Sequence, residues 1–356
     1  MTYFLRDILR QPEELQRTLD FLSGPGAAAL ESAALAIRNA GHVYLTGIGS
    51  SWHAVLCAAP FFHRAGFPIV MQDSAELLYS QIPRGSVVVV ISRSGRSVEI
   101  VRLLEKLRNS GVTVIGITNA PDGTLALQAQ IPIVVPVAMD HAISVNTYIT
   151  LAAAAAILAS HVTDSFNATL AAALQNAIQA LGQSIASWQS QLEGAAWLAP
   201  GKVFYFLARG SSLGSCQETR LLWEEGVKSP AAAMITGSFR HGPQEMVHEG
   251  ARFGIWIDAE QSREQDLAVA SDLRKLGASV MLIGQNLPVG IAELVFRLPA
   301  IPAAWQFLID IVPAQLAAEK LSRLAGVDCD TFRYCSFIVE DEFGLMDSGI
   351  NKKAGV

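Results

Sequence analysis

A serine-rich loop, Ser92-Arg93-Ser94-Gly95-Arg96-Ser97, is the segment of this sequence whose composition indicates chemistry most directly. It follows the apolar run 87–91 and opens a segment of helical spacing that ends at Leu107. Serine hydroxyls and the free amides of a helix N-terminus bind phosphate, and the helix dipole favours the negative charge. Gly95 lets the backbone approach a ligand, and no acidic residue precedes Glu99, which favours an anion over a metal ion. The alternative, that Ser97 only caps the helix, needs one serine and not three around a glycine.

A second loop, Gly47-Ile48-Gly49-Ser50-Ser51, follows another short apolar run that begins near Tyr44. In open parallel sheets, ligands bind beyond the carboxyl ends of the strands. We therefore expect Gly49, Ser50 and Ser51 to line the same phosphate site as the serine-rich loop. His53, two residues further on, is interpreted as a core or rim residue more than as a ligand contact.

The sequence repeats itself. The run from Tyr44 ends in Gly49-Ser50-Ser51, and the run from Tyr205 ends in Gly210-Ser211-Ser212. Three further pairs of apolar runs follow in the same order and at a nearly constant offset: 87–92 with 253–258, 111–117 with 277–283, and 131–136 with 294–299. Such matched elements predict a duplicated domain.

The apolar runs alternate with segments of helical spacing, which is typical of parallel sheets covered on both faces. We predict an α/β protein of two tandem doubly wound αβα sandwiches with flavodoxin-like parallel sheets. A leading helix is expected over Asp7–Leu22, and the Ala-rich stretch Ala142–Ser160 is interpreted as a buried helix, not a membrane span. The predicted segments are an N-terminal helix at 1–25, a first domain at 26–165, a helical connector at 166–198, a second domain at 199–340, and a tail at 341–356.

Composition limits the class of function. Of 356 residues, 51% are hydrophobic and 16% are charged, and the net charge of −6 argues against a nucleic-acid-binding surface. The four cysteines form no CxxC pair or zinc-like spacing, so free thiols in a reducing compartment are expected. The N-terminal residues lack a signal-peptide pattern. The sequence thus predicts a cytoplasmic protein without a metal, cofactor, nucleic-acid or membrane partner.

The two glycine–serine loops together resemble the sugar isomerase (SIS) domain. The second half is similar in its spacing to the isomerase domain of glucosamine-6-phosphate synthase, at Arg209-Gly210, Glu218, Glu225, Gly237 and Arg240-His241-Gly242-Pro243. Residues 328–334 also resemble the tails of that enzyme and of fructosamine-6-phosphate deglycases. From about Tyr44 to Val339, the chain is therefore identified as similar to double-SIS phosphosugar proteins.

The resemblance implies roles for individual residues. It places the phosphate of a sugar on Ser51, Ser92, Ser94 and Ser97, and it implies a homodimer that uses no cofactor. Glu225 matches the carboxylate that moves a proton between C1 and C2, and His241 matches a histidine that reaches the partner's site and helps to open the sugar ring. Glu218 matches another acidic position near the site. A carboxylate whose pKa is raised by burial suits the proton transfer, and a histidine suits ring opening.

Three positions depart from this resemblance. Leu222, Phe337 and Thr147 stand where the family has lysine or another basic residue, and Lys352 and Lys353 are alternative amines. The expected absence of the synthase's glutamine-hydrolysing domain argues against glutamine-dependent amination. Apolar surroundings, expected from Trp52, Trp223 and Phe337, suit a bulkier adduct.

The residues leave isomerase, deaminase and deglycase chemistry open for a 6-phosphorylated aldose, ketose, amino sugar or fructosamine. A non-catalytic sugar-phosphate sensor is the alternative. The loop at Ser211-Ser212 either binds a ligand or is a relic, and the acidic loop 258–262 is a poor phosphate cradle. We therefore expect one working phosphate site, in the first half.

Overall fold

Two parallel five-stranded sheets form the centre of the protein. The structure is a computed structural model that describes residues 1–341 and 344. The strands of the first sheet are β1 (Val43–Thr46), β2 (Val70–Met71), β3 (Val87–Ser92), β4 (Thr113–Thr118) and β5 (Ile131–Val134). The strands of the second are β6 (Phe204–Ala208), β7 (Ala231–Ile235), β8 (Arg252–Trp256), β9 (Ser279–Gly284) and β10 (Leu294–Arg297). The spatial orders are β2-β1-β3-β4-β5 and β7-β6-β8-β9-β10, so both halves have one topology and the predicted fold class is confirmed.

Helices surround the two sheets. Within the described residues, the first half and its leading segment contain α1 (Tyr3–Leu9), α2 (Gln11–Ser23), α3 (Ala27–Arg38), α4 (Ser50–Arg64), α5 (Ser74–Leu77), α6 (Val98–Leu107), α7 (Thr124–Gln128) and α8 (Asn146–Val162). They are followed by α9 (Ala168–Leu192), α10 (Ser212–Leu222), α11 (Thr236–Phe239), α12 (Arg263–Lys275), α13 (Phe307–Asp310) and α14 (Val312–Leu324). A π-helical turn, Trp223–Val227, continues α10 directly.

The register of the first sheet sets the position of the two glycine–serine loops. β3 is a run of valine and isoleucine closed by Ser92, and all of its residues are buried, as expected for a central strand covered on both faces. β1 pairs in parallel with β3, with Thr46 opposite Val90. The loops that follow the two strands therefore emerge side by side at one edge of the sheet.

The two halves contact each other through their equivalent helices α4 and α10. A Cβ atom added at Gly214 in α10 would lie 2.2 Å from the sulfur of Cys57 and 2.6 Å from the carbonyl oxygen of His53, both in α4. A glycine inside a helix costs about 1 kcal/mol relative to alanine, but here it permits the two backbones to approach closely. This contact carries residues of the second half to the loops of the first.

The leading segment differs from the prediction. The single helix expected over Asp7–Leu22 is two helices, α1 and α2, which meet at Arg10. Pro12 lies in the first turn of α2, where its missing N–H costs no helical hydrogen bond, so the proline begins a new helix.

The alanine-rich stretch 142–160 largely forms α8, whose residues are almost all buried. Asp140 stabilises the start of this helix, because its carboxylate accepts the amides of Val145, Asn146 and Thr147 at 2.8–3.0 Å. Of the helices in residues 1–341, none is long and apolar enough to cross a membrane. The predicted tail 341–356, with Lys352 and Lys353, lies outside the described residues apart from positions 341 and 344.

Candidate functional site

A cavity of about 320 Å³ opens at the carboxyl ends of β1 and β3. Both halves of the chain line it. The residues that the first half contributes include Gly49, Ser50, Ser51, Ser92, Arg93, Ser94, Ser97 and Glu99, and those of the second half include Glu225 and residues 335–339 of the C-terminal segment. The structure thus brings Glu225 and six of the seven predicted sugar-phosphate residues to one cavity, and Gly95 belongs to the same loop.

Four serine hydroxyls of this cavity are free to donate hydrogen bonds. The Oγ of Ser92 accepts the amide of Gly95 at 3.1 Å, and the Oγ of Ser94 accepts the amide of Arg96 at 3.1 Å. A hydroxyl that accepts in this way keeps its own O–H for another acceptor. Ser51 and Ser97 also line the cavity, and within the described residues their side chains make no hydrogen bond. Three of these O–H donors precede α6 and the fourth, Ser51, lies in the first turn of α4, and together they form a site for an anion.

The backbone of the serine-rich loop requires its glycine. Gly95 has a φ of +63°, in the left-handed region, and a Cβ atom there would lie 2.8 Å from the Cβ of Leu125. The amide of Leu125 donates to the carbonyl oxygen of Gly95 at 3.1 Å. The start of α7 therefore fixes the curvature of the loop, and with it the directions of the serines.

Glu225 lies on the π-helical turn and is half-buried at the cavity. Burial and, next, the negative charge of Glu218 raise its pKa from an ordinary 4.5 to about 7, while Arg93 and Lys228 act in the opposite direction. A carboxyl group with a pKa near neutrality exchanges protons efficiently at physiological pH. π-Helical turns inside α-helices often occur at functional sites, and this one directs Glu225 towards the serines.

Glu218 is buried beneath the cavity, between α10 and α4. One carboxylate oxygen lies 2.6 Å from the Nδ1 of His53, and the other accepts the Oγ–H of Ser50 at 2.9 Å. Glu218 is therefore linked to the cavity through its hydrogen bond with Ser50, which lines it. The catalytic role predicted for Glu218 stays a prediction. Its charge acts on Glu225. His53 is a core residue, as expected.

Arg93 attaches the C-terminal segment to the cavity. Its guanidinium donates to the carbonyl oxygen of Phe337 at 3.0 Å and to the Oγ of Ser144 at 3.1 Å. The amide of Val98, at the start of α6, donates to the carbonyl oxygen of Val339 at 3.0 Å. Residues 335–339 thus line the same cavity as the serines. From the sequence, no role was assigned to Arg93. Its position between Ser92 and Ser94 was the one feature that could have indicated a contact at the site.

Lys228 is a second residue near the site that the sequence did not single out. Its amine donates to the backbone carbonyls of Glu225 and of Thr331, the latter at 2.7 Å. It therefore links the π-helical turn to the C-terminal segment. Its only sequence signal was its position three residues after Glu225.

His241 does not line the cavity of its own chain; it is exposed, just beyond α11. Its predicted contribution across a homodimer stays a prediction. Of the three aromatic residues expected around the site, Phe337 lines the cavity. Trp223 is fully buried in the core, and Trp52 packs partly buried against it, so the surroundings are less aromatic than expected. Leu222 is also wholly buried.

Comparison with known proteins confirms the resemblance stated from the sequence. Residues 36–160 match the SIS domain family. The isomerizing glutamine–fructose-6-phosphate aminotransferase of Pyrobaculum aerophilum is 24% identical over 354 residues, which cover 92% of this chain and 56% of that protein. The chain therefore spans about half the length of the curated relatives it matches.

Two solved structures share the fold over nearly the whole chain. The C-terminal domain of glucosamine-fructose-6-phosphate aminotransferase from Francisella tularensis has a TM-score of 0.83 at 20% identity and covers 93% of this chain and 98% of that one. Tagatose-6-phosphate ketose/aldose isomerase from Escherichia coli has a TM-score of 0.79 at 20% identity, with 93% and 95% covered. The match to both over such a length shows that the two-sheet arrangement is shared.

Proposed function

Residues 36–160 match the SIS domain family, and we propose that this protein is an enzyme that acts on a 6-phosphorylated sugar by proton transfer between C1 and C2. One observation carries the proposal: four free serine hydroxyls and a carboxyl of pKa about 7 line a single cavity. The serines suit the phosphate, and Glu225 suits the proton transfer. Two of the proteins named above, an aminotransferase of fructose 6-phosphate and an isomerase of tagatose 6-phosphate, support this substrate class by their names.

The proposed reaction needs one group that both takes and returns a proton. The Glu225 carboxylate removes the proton from the hydroxyl-bearing carbon next to the carbonyl, and the carbonyl oxygen takes up a proton from solvent, which leaves an enediol. The protonated carboxyl then returns its proton to the former carbonyl carbon, the other hydroxyl releases its proton to solvent, and the carbonyl has moved by one position. A substrate with an amine at C1 or C2 undergoes the same proton transfer through an enolamine. Isomerase, deaminase and deglycase reactions therefore share this step, and the proposal includes all three.

The proposal is tested by NMR in deuterated water with 6-phosphorylated hexoses, amino sugars and fructosamines. We expect deuterium at C1 or C2, or release of an amine, in the wild type and at least a hundredfold less in Glu225→Gln. Glu224→Gln is the matched control, because Glu224 is exposed and ion-paired with Arg220. Equal exchange in the wild type and in Glu225→Gln contradicts the role of Glu225.

We further propose a homodimer in which His241 of one copy serves the cavity of the other, because His241 is exposed and absent from its own cavity. Mixing Glu225→Gln with His241→Ala tests this. A mixed dimer would then hold one cavity with both wild-type residues, and random mixing would restore up to a quarter of the activity. If His241 acts within its own chain, mixing restores nothing.

A specific observation supports a second candidate, a sugar-phosphate sensor without catalysis. Phe337 lines the cavity where the resemblance expects a lysine, and the amide of Val98 is already bonded to Val339. A ligand phosphate at the start of α6 would compete with that bond and would displace the C-terminal segment. Binding of a hexose 6-phosphate with faster amide exchange in 332–340, but no deuterium incorporation in any substrate, would favour the sensor.

The cytoplasmic location also stays a proposal. Its support is chemical: Cys57, Cys216, Cys329 and Cys335 are free thiols, the first three of them buried, which suits a reducing compartment. That the reaction does not use glutamine as an ammonia source stays a prediction as well.

A further inference from the structure

A second cavity, of about 260 Å³, lies in the second half at the edge of its sheet that corresponds to the first cavity. The loop Gly210-Ser211-Ser212 lines it just as Gly49-Ser50-Ser51 lines the first cavity. Gly210 has a φ of +56° and Gly49 one of +57°, so both glycines adopt the left-handed conformation. Each loop opens a long helix, α10 here and α4 there.

One end of this second cavity is suited to an anionic group. The residue Ser211 is only 4% exposed and lines the cavity, and its hydroxyl makes no hydrogen bond within the described residues. Arg64, at the end of α4, also lines the cavity, and its guanidinium lies 3.8 Å from where a Cβ on Gly210 would stand. Across the described part of the chain, Arg64 has no ion-pair partner. An unpaired guanidinium, a free buried hydroxyl and the N-terminus of α10 therefore converge.

The other wall carries negative charge. Asp258 lines the cavity at the position that corresponds to Ser92 in the repeat. Its carboxylate accepts the amide of Ser262 at 2.8 Å and the Oγ–H of Ser262 at 3.1 Å. The Asp258 carboxylate therefore already occupies the place, just before α12, that a bound anion would take. Arg209 adds little free positive charge, because its Nε is bonded to Asp266 at 2.7 Å. A plain phosphate dianion would meet Asp258, whereas an ammonium group would be attracted to it.

We propose that the second cavity binds a small zwitterion, with its carboxylate or phosphate on Arg64, Ser211 and the start of α10, and its ammonium towards Asp258. α-Amino acids and amino-sugar phosphates share this chemistry, and both are small enough for the cavity. The ligand would sit at one end of α10, and the π-helical turn with Glu225 follows at the other end.

Hydrogen exchange of the full chain, followed by mass spectrometry, tests the proposal with three probes: glutamate, glucosamine 6-phosphate and glucose 6-phosphate. We expect slower amide exchange in residues 210–214 with one of the first two and less protection with glucose 6-phosphate, which lacks the ammonium. Arg64→Gln should weaken the effective probe about tenfold. Arg84→Gln is the control, because Arg84 is exposed and lines neither cavity. Asp258→Asn should reduce the preference for the ammonium-bearing probe.

Each of the following results would overturn the inference. Protection of residues 92–98 alone would leave the phosphate site of the proposed function standing and show that the second cavity is empty. Protection of 210–214 that survives Arg64→Gln would show an effect transmitted from the first cavity. Equal protection by glucose 6-phosphate and glucosamine 6-phosphate would exclude the zwitterion. If no probe protects either cavity, both the inference and the phosphate site are wrong.

Discussion

The pKa of Glu225 leads to the sharpest test of the proposed chemistry. With a pKa of about 7, roughly one tenth of the carboxyl groups are ionised at pH 6 and about nine tenths at pH 8. If the carboxylate removes the proton, kcat/KM for deuterium exchange should rise about tenfold across this interval. A carboxyl with an ordinary pKa of 4.5 is almost wholly ionised at both values and predicts a nearly flat profile.

The same shift has a consequence for stability. The folded protein favours protonated Glu225, so the free energy of unfolding should fall as the pH rises from about 4.5 to 7 and then level off. A shift of this size corresponds to roughly 3 kcal/mol for a fully buried group, and solvent screening of the half-buried side chain reduces it to about 1–2 kcal/mol. Glu225→Gln lacks this loss and should be more stable than the wild type by that amount at pH 8, but not at pH 5.

Urea denaturation at pH 5 and pH 8, beside the exchange rates, measures both effects. Glu224→Gln should follow the wild type in each, because its side chain is exposed. The reasoning is refuted if the exchange rate is flat between pH 6 and pH 8 and the stability difference of Glu225→Gln does not change with pH. A flat rate with a pH-dependent stability difference would instead mean that the pKa is raised but that another group takes the proton.

Three further changes have defined outcomes. Ser97→Ala should weaken binding of a hexose 6-phosphate about tenfold without changing the melting temperature, because its hydroxyl has no partner within the described residues; titration calorimetry measures this, and unchanged affinity contradicts the placement. His53→Ala should lower the free energy of unfolding by roughly 3 kcal/mol in urea, because it leaves the buried Glu218 without its imidazole partner, whereas the exposed His63→Ala should have little effect. Arg93→Gln should speed amide exchange in 332–340 and raise KM; unchanged exchange there would show that Arg93 does not hold the segment.

The sequence was sufficient to predict the fold and to place the two glycine–serine loops side by side, for a physical reason. A central parallel strand such as β3 must be apolar on both faces, so the run from Val87 to Ile91 is readable without any neighbour. The register of a parallel sheet then places the following loops together. The break at Arg10 was missed because the spacing of apolar residues continues across Pro12, and only the proline itself marked the new helix.

The electrostatic part of the site could not be predicted in the same way. The raised pKa of Glu225 depends on burial and on Glu218, seven residues earlier on α10 and the π-helical turn, and neither is a property of local sequence. The direction of Arg93 towards Phe337 joins residues from distant parts of the chain. Trp223 was expected near the site but lies in the core. It is two residues before Glu225 on the same helical turn, so the two side chains face different sides, and Glu225 is the one that lines the cavity.

The close contact at Gly214 also bears on how the two halves of the chain share the residues of the candidate site. At Gly214 the two halves are packed closely against each other, next to Cys57 and His53, and residues of both halves line the first cavity. The first half has serines after its third strand, while the second half has Asp258 at the equivalent position and carries Glu225, the proposed base. Neither half alone contains both the serine-rich loop and Glu225, so cutting the chain between its halves would separate the proposed phosphate site from the proposed base.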